Sequence, residues 1–362
     1  MSGLTVDNPI KFVDVINSKK VLPGDTLLLR GGTYKGYWTL NIGGTKDAPV
    51  TIQPYQNEPV VIDGGLTLAK PHLKIMDMEI TDSNPDRTVM TDSITMNYPG
   101  CWIIGCHIHD LRNSGVNWFG SGVGGIVECW IYENGFTLDG VEVAHGIYSH
   151  NADGGARLIA RNLFGNQRGK YTIHLYSGGD NYLNDFTCED NVIFGDAVHT
   201  GGGYGLENFI YRRNIQCGDY CQHGRYTKDY GQNNGAQITD NLFVGLAGYS
   251  INADSLQPWL NLTESGNTVW SVGGYNEPSN RAGYTVEETP TTWSRFVPFT
   301  LSEPDAALVG PHVLGDNRLR DPVRAQCPGH RERQGSHRRL RCRHGQRQGQ
   351  SPRRRTVGRA DA

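Results

Sequence analysis

Four short stretches concentrate side chains able to move protons or grip an anion. They are His145-Gly-Ile-Tyr-Ser-His150, Tyr171-Thr-Ile-His-Leu-Tyr176, Thr200-Gly-Gly-Gly-Tyr204 and His223-Gly-Arg-Tyr-Thr-Lys228. Imidazole, phenol and amine groups act as general bases and acids once their pKa values are shifted to suit the task. A nearby arginine or lysine neutralises a carboxylate. Together these groups suffice to take a proton from a carbon beside a carboxylate and return one to a departing oxygen. Period-two alternation sends Ile147, Ile173 and Leu175 into a core, and Tyr148, His150, His174 and Tyr176 outward. The same register turns Tyr226 and Lys228 outward, with Arg225 within one residue of that face. Gly201, Gly202 and Gly203 remove side chains between these walls, so a shallow groove with a glycine floor is expected. Lys228 or His174 would be its base, Tyr226 or Tyr176 its acid, and Arg225 the neutraliser. Tyr148, His150, His223, Gly202 and Asp153 would touch the ligand. Each residue also has a plainer reading: a solvated histidine, a tyrosine column stacking for stability, or a turn pair such as Lys228 and Asp229.

Other chemistries are weaker. Two carboxyls roughly 6.5–9.5 Å apart would serve hydrolysis with inversion, and Asp139, Glu142, Asp153, Glu189, Asp190 and Glu207 are the candidates. Asp153 is the best placed, and no paired-Asp motif is present. Asp153 and Asn151, with Asp180 and Asp185, are the oxygen donors nearest the groove for calcium. Alternation puts His145 inward, away from His150 and His174, which argues against a histidine-bound transition metal. Cys217 and Cys221 form a CxxxC without a second pair, so a loop staple or two thiols is expected rather than zinc.

These stretches are positioned by an internal repeat. Among 362 residues, 47 are glycine, and only 37% are hydrophobic, with no apolar run of membrane-spanning length. A short motif recurs at Met78, Cys106, Cys129, Asn162, Asn191, Asn214, Asn241 and Asn267. This near-regular recurrence belongs to solenoids, whose units return every few tens of positions. Glycine, asparagine and β-branched residues fill the units, which excludes helical repeats, and leucine is too sparse for leucine-rich repeats. A parallel β-helix fits, because each coil lays its strands about 4.8 Å above the previous ones and equivalent residues stack. Asparagines repeated at one turn position would then form a hydrogen-bonded ladder, with Cys106 and Cys129 as stacked, buried thiols above it.

The ends follow from the same reading. Residues 1–22 form an N-terminal cap, with an amphipathic helix over 8–17 whose apolar residues are 10, 13, 15 and 16. Residues 23–275 form the β-helix, and 276–322 a less regular C-terminal cap anchored by Trp293, Phe296 and Phe299. Residues 323–362 hold twelve Arg, no Lys and two acids, a net charge of +10. The whole chain carries −3, so the body that precedes this tail carries −13. The tail cannot build a core and reads as disordered or as the product of a reading-frame change. The acidic body makes nucleic acid an unsuitable partner.

The stretch from Pro23-Gly-Asp-Thr-Leu-Leu-Leu-Arg to Ile62-Asp-Gly-Gly65 resembles the opening coils of the pectate-lyase-like superfamily. It is most similar to the alginate lyase and chondroitinase B type, and the likeness extends over roughly residues 10–275. The resemblance implies an all-β, right-handed parallel β-helix solenoid of roughly 9–10 coils with an N-terminal capping helix. It implies a polysaccharide partner, β-elimination of a uronic-acid-containing glycan, and calcium assistance. The family's Asn-Glu-Glu calcium set and its Lys/Arg pair have no residue-by-residue match here. Two alternatives remain: a glycoside hydrolase on the same fold, and a non-catalytic, adhesin- or tailspike-like glycan binder. A monomer, without membrane or nucleic-acid partners, is expected. A secreted or periplasmic location follows from the glycan reading, with a signal peptide lying outside the sequence.

Overall fold

The computed structural model describes residues 8–270, except 121, 152–154, 179–182, 203–204, 225–232, 247 and 252–258, together with 284–287. Strand-length runs separated by polar turns become three long sheets of ten, eleven and nine strands. The first runs from Thr26–Leu29 to Thr263–Ser265, the second from Gly32–Lys35 to Tyr284–Glu287, and the third from Trp38–Leu40 to Gly248–Ile251. Within each sheet the neighbour of a strand is its equivalent one coil on, in parallel register. This is the parallel β-helix expected from the repeat. The antiparallel hairpin of Phe136–Leu138 and Val141–Val143 is an excursion from it.

Stacking in register lets one residue type fill one column. In the first sheet Ile52, Ile75, Ile103, Ile126 and Ile159 lie directly over one another, followed by Cys188, Tyr211 and Ile238. All eight are at most 1% exposed, so the core is a continuous apolar rod. Burial of this kind contributes about 25 cal/mol per Å² of apolar surface.

The turn between the first two sheets carries the predicted ladder. Oδ1 of Asn191 accepts both the backbone N–H and the side-chain Nδ2 of Asn162, each at 3.0 Å. Asn214, Asn241 and Asn267 repeat this arrangement coil by coil. Each Nδ2 also donates to a carbonyl of the first-sheet strand one coil back, as from Asn214 to Cys188 O at 3.0 Å. Cys129 continues the column, its N–H donating to Asn162 Oδ1 at 2.9 Å and its thiol facing Val127 O at 3.3 Å. The preceding residue has positive φ in these coils: Asp77, Glu128, Arg161, Asp190, Arg213 and Asp240 lie between 53° and 58°. A left-handed residue costs about 1–2 kcal/mol when it is not glycine, and the ladder's buried hydrogen bonds hold it there. On the outside the same positions form charge pairs, Arg161 with Glu128 at 2.8 Å and Arg213 with Asp190 at 2.7 Å.

The ends differ in detail from expectation. The N-terminal helix is a single turn, Phe12–Val15. Phe12 and the C-cap residue Ile16 are buried and Val13 is exposed, because residues four apart share a helix face. Phe12 packs edge-on against Tyr34 and Trp38 of the first coil at 5.2 Å. Strand Tyr284–Glu287 extends the second sheet beyond residue 275 by pairing with Asn267–Trp270. The remainder of 276–322 and the tail 323–362 lie outside the described residues. The six described cysteines are all buried and none is in a disulfide, so Cys217 and Cys221 are two thiols.

Replacing Asn214 by Ala orphans two buried donors of Asn191 and removes the donor to Cys188 O. A loss of about 3–5 kcal/mol is expected from groups costing about 1–3 kcal/mol each. Denaturant unfolding should show it as a lower midpoint; an unchanged midpoint would mean that the ladder contributes nothing.

Candidate functional site

The outward face of the third sheet carries the chemistry. Its central column runs Thr39, Thr67, Thr95, Asn117, Tyr148, His174, His199 and Gln222. Tyr148 and His174 stack with centroids 5.1 Å apart, and His174 and His199 stack at 5.1 Å and 12°. Those separations are close to the spacing of neighbouring strands, so the solenoid itself sets the ring stack.

Aromatic groups flank the column on both sides. On one side His145 Nε2 lies 3.0 Å from His174 Nδ1, and its ring stacks on Tyr171 at 5.4 Å. Tyr171 meets the His174 and His199 rings at 4.7 and 5.2 Å and Tyr220 edge-on at 6.3 Å. The exposed Lys170 ammonium sits 5.0 Å from the Tyr171 ring centroid. On the other side Phe119 stacks on His150 at 4.9 Å, and Tyr176 lies 5.6 Å from His174. Tyr176 is in register with Gly201, and Ser177 with Gly202, so the wall beside Tyr176 is bare backbone. A Cβ at Gly201 would lie 1.7 Å from the carbonyl oxygen of Gly224.

Of the predicted residues, the structure brings together Tyr148, His150, His174 and Tyr176 on the outward face, beside Gly202. Lys228, Tyr226, Arg225 and Asp153 lie outside the described residues. His223 is placed differently: it is fully buried, its Nδ1 2.7 Å from Thr200 Oγ1 and its Nε2 3.2 Å from Cys221 Sγ. The strand there is Tyr220–His223, so His223 falls on the inward set with Thr200. Asn151 is also buried, and its amide is spent on the backbone of Asn184, at 2.7 and 3.0 Å. It is a turn-ladder residue rather than a metal ligand. His145 shares the face of His174, contrary to strict alternation. An irregularity between Tyr171 and Ile173, where the partner strand steps directly from Ala197 to Val198, breaks the period at that end of the strand.

Lys170, Tyr171, His199, Tyr220 and Phe119 were missed by sequence reasoning. His199 follows His174 at one coil's interval, and that interval was the available signal. Lys170 enters through the turn Gln167–Lys170, which makes this coil longer than the two after it.

Burial shapes the electrostatics. It pushes His145 down to about 3, His174 to about 2 and His199 to about 4, with the Lys170 charge acting in the same direction on all three. His150 falls to about 4 by burial and the charge of Arg157. These rings are neutral in the folded protein, and the buried Nε2 of His174 has no hydrogen-bond partner among the described residues. Burial moves the Tyr148 and Tyr220 phenols up, so both are protonated. Neutral imidazoles beside protonated phenols and an ammonium present hydrogen-bond acceptors, donors and a positive charge on one face. Among the described residues no three His, Cys, Asp or Glu side chains are placed to hold a metal ion, and Asn151 is already engaged. The described residues thus do not fit a calcium site.

No family model and no curated protein matches this chain. Among solved structures, the pectate lyase Pel9A is similar at 16% identity over 79% of this chain and 74% of its own, with a TM-score of 0.44. The PL6 family alginate lyase AlyGC is similar at 15% identity over 74% of this chain, TM-score 0.34, and this chain spans about half of that protein (51%). The GH136 lacto-N-biosidase from Eubacterium ramulus is similar at 13% identity over 78% of this chain and 64% of its own, TM-score 0.41. None of the three bears on what this site does.

The depressed histidines give a pH dependence of stability. Between the free value near 6.5 and the folded values of about 2 to 4, the unfolded chain binds more protons than the folded one. Stability is therefore full above pH 6.5 and lost on acidification, by about 1.4 kcal/mol per pH unit for each such ring. The melting temperature should fall steadily from pH 7 to pH ~4.5, and His145→Gln/His174→Gln should flatten the slope. An unaltered slope in that variant would show that these rings titrate as they do in water.

Proposed function

We propose that this chain cleaves an acidic polysaccharide by β-elimination on the outer face of its third sheet. The observation that carries the reading is the stack of Tyr148, neutral His174 and His199 with Lys170 beside it. The strip of rings is aligned along the solenoid axis, as a chain-like ligand requires, with the ring edges turned toward that ligand. The carboxylate of a uronate is drawn to the Lys170 ammonium, which makes the adjacent C5 proton more acidic. His174 takes that proton; the freed electron pair forms the C4–C5 double bond as the C4–oxygen bond breaks. Tyr176, in ring contact with His174, hands its phenolic proton to the departing oxygen. Return of a proton from the imidazolium to the phenolate closes the cycle.

Among the described residues the candidate carboxylates for hydrolysis are scattered. Asp139 and Glu142 are exposed beside or on the antiparallel hairpin. Glu189 and Asp190 are held by Arg212 and Arg213 at 2.6 and 2.7 Å. Glu207 is an exposed turn residue bridging to Asn184 and Asn234. The fixed charge acting on all three imidazoles of the cluster is a cation.

Incubation with a panel of uronic-acid polymers should raise the ultraviolet absorbance of an unsaturated uronate. His174→Asn should lower kcat by about 10²–10⁴-fold, the usual contribution of a general base, with glycan binding retained. Lys170→Met should raise KM for acidic glycans. New reducing ends without unsaturation would replace this reading with hydrolysis. Binding without turnover would replace it with a glycan-binding module.

A further inference from the structure

The outer face of the second sheet changes chemistry along the axis. One outward column passes from Glu79, His107 and Trp130 to Leu163, Val192, Ile215 and Leu242. The next outward column runs Phe194, Cys217, Val244 and Trp270. Between them the inward positions are Ile193, Gln216, Phe243 and Val269, so these side chains stand outside the solenoid. Ile215, Cys217, Leu242 and Val244 form an apolar cluster separate from the core, edged by Phe194 and Trp270. Yet Ile215 is only 8% exposed, and Cys217, Leu242 and Val244 are 3% exposed each. Outward apolar side chains reach such burial only beneath a cover.

We propose that residues 288–300 of this chain are that cover, seating Trp293, Phe296 and Phe299 across Ile215, Leu242 and Val244. Residues 288–300 lie outside the described residues, but the point from which they depart is fixed. Strand Tyr284–Glu287 pairs with Asn267–Trp270 at the end of this same sheet. The six residues from Glu287 to Trp293 reach up to ~20 Å. The Leu242 and Ile215 strands lie two and three strands away, ~10 and ~14 Å at the normal spacing. Thr292-Trp-Ser-Arg-Phe-Val-Pro-Phe-Thr300 places three aromatic residues within seven positions. Pro290 and Pro298 keep it from continuing as a regular ladder strand or helix. The Arg-rich stretch 323–362 offers no comparable apolar side chains. A glycan would match the polar rings of the third sheet better than these aliphatic ones.

Cys217 provides the test, since it is the one described thiol in the covered stripe, whereas Cys106, Cys129, Cys188 and Cys221 lie inside the solenoid. Full-length protein carrying Cys327→Ser and Cys342→Ser is labelled under native conditions with a small thiol reagent, and peptide mass spectrometry locates the label. The unaltered segment should keep Cys217 slow. Trp293→Asp/Phe296→Asp should accelerate Cys217 by roughly tenfold or more, with the interior thiols still slow, as expected for a local opening. Unchanged Cys217 labelling in that variant overturns the proposal, as does slowing that depends on protein concentration, which assigns the cover to a second copy. If all thiols react together because the variant has unfolded, Phe296→Cys in the same background decides instead. Mild oxidation should then link positions 217 and 296 within one chain, and absence of that link overturns the proposal.

Discussion

Every feature of this protein depends on one constraint: consecutive coils must lie directly over one another at the spacing of hydrogen-bonded strands. The buried asparagine ladder enforces it at the sharpest turn. Each amide oxygen takes two donors from the coil before it, so a coil that shifted sideways would strand several polar groups in an apolar interior at once. The left-handed residues before the ladder and the isoleucine columns are consequences of that alignment. Where the ladder changes to Cys106 and Cys129 the weaker thiol donors face the equivalent carbonyls of the preceding coil, Ile75 O at 3.9 Å and Ile103 O at 3.7 Å.

The same alignment explains the imidazole face. His174 and His199 belong to successive coils, far apart in the chain, yet their rings are parallel neighbours because their strands are. Stacking and neutrality are then two aspects of one arrangement. Protonating two rings at this distance, with Lys170 alongside, would place like charges together in a half-buried site. The lowered basicity of all three is what permits the contact. A ring held neutral in this way is a hydrogen-bond acceptor at ordinary pH, and the Tyr148 phenol beside it, held protonated by burial, is a donor.

The fold was legible because one residue type recurs at one turn position, and a buried amide there has few substitutes. The faces were legible only where coils have equal length. Strand Tyr171–Ser177 starts nine residues after its ladder asparagine, Asn162, and that offset was carried to the following coils. There the strands start at Ala197 and Tyr220, six residues after Asn191 and Asn214. Past the irregularity between Tyr171 and Ile173 the slip is four, since His174 lies twelve residues after Asn162 and its partner His199 eight after Asn191. The strand moved along the chain with its faces kept, so His199 rather than a glycine of the run pairs with His174, and Gln222 rather than Tyr226 follows it. The extra residues in the longer coil form the turn ending at Lys170, so the insertion that misled the register also delivers the cation to the site. His145 escaped alternation for a related reason, the irregularity at the start of its partner strand.

The solenoid also separates its outer faces by chemistry, and the separation follows from what each must meet. The third sheet's outward column stays polar or aromatic from Thr39 to Gln222, and its middle rings remain partly open. The second sheet's outward column turns aliphatic after Trp130, and burial deepens toward Leu242 and Val244. A parallel β-helix has no hydrophobic need for apolar residues on its exterior, since each coil already buries an inward set. Aliphatic side chains in two adjacent outward columns over successive coils therefore mark a second packing layer. A face that exchanges a ligand cannot carry such a layer, so the aromatic third sheet and the covered second sheet are complementary assignments of one coil's three sides.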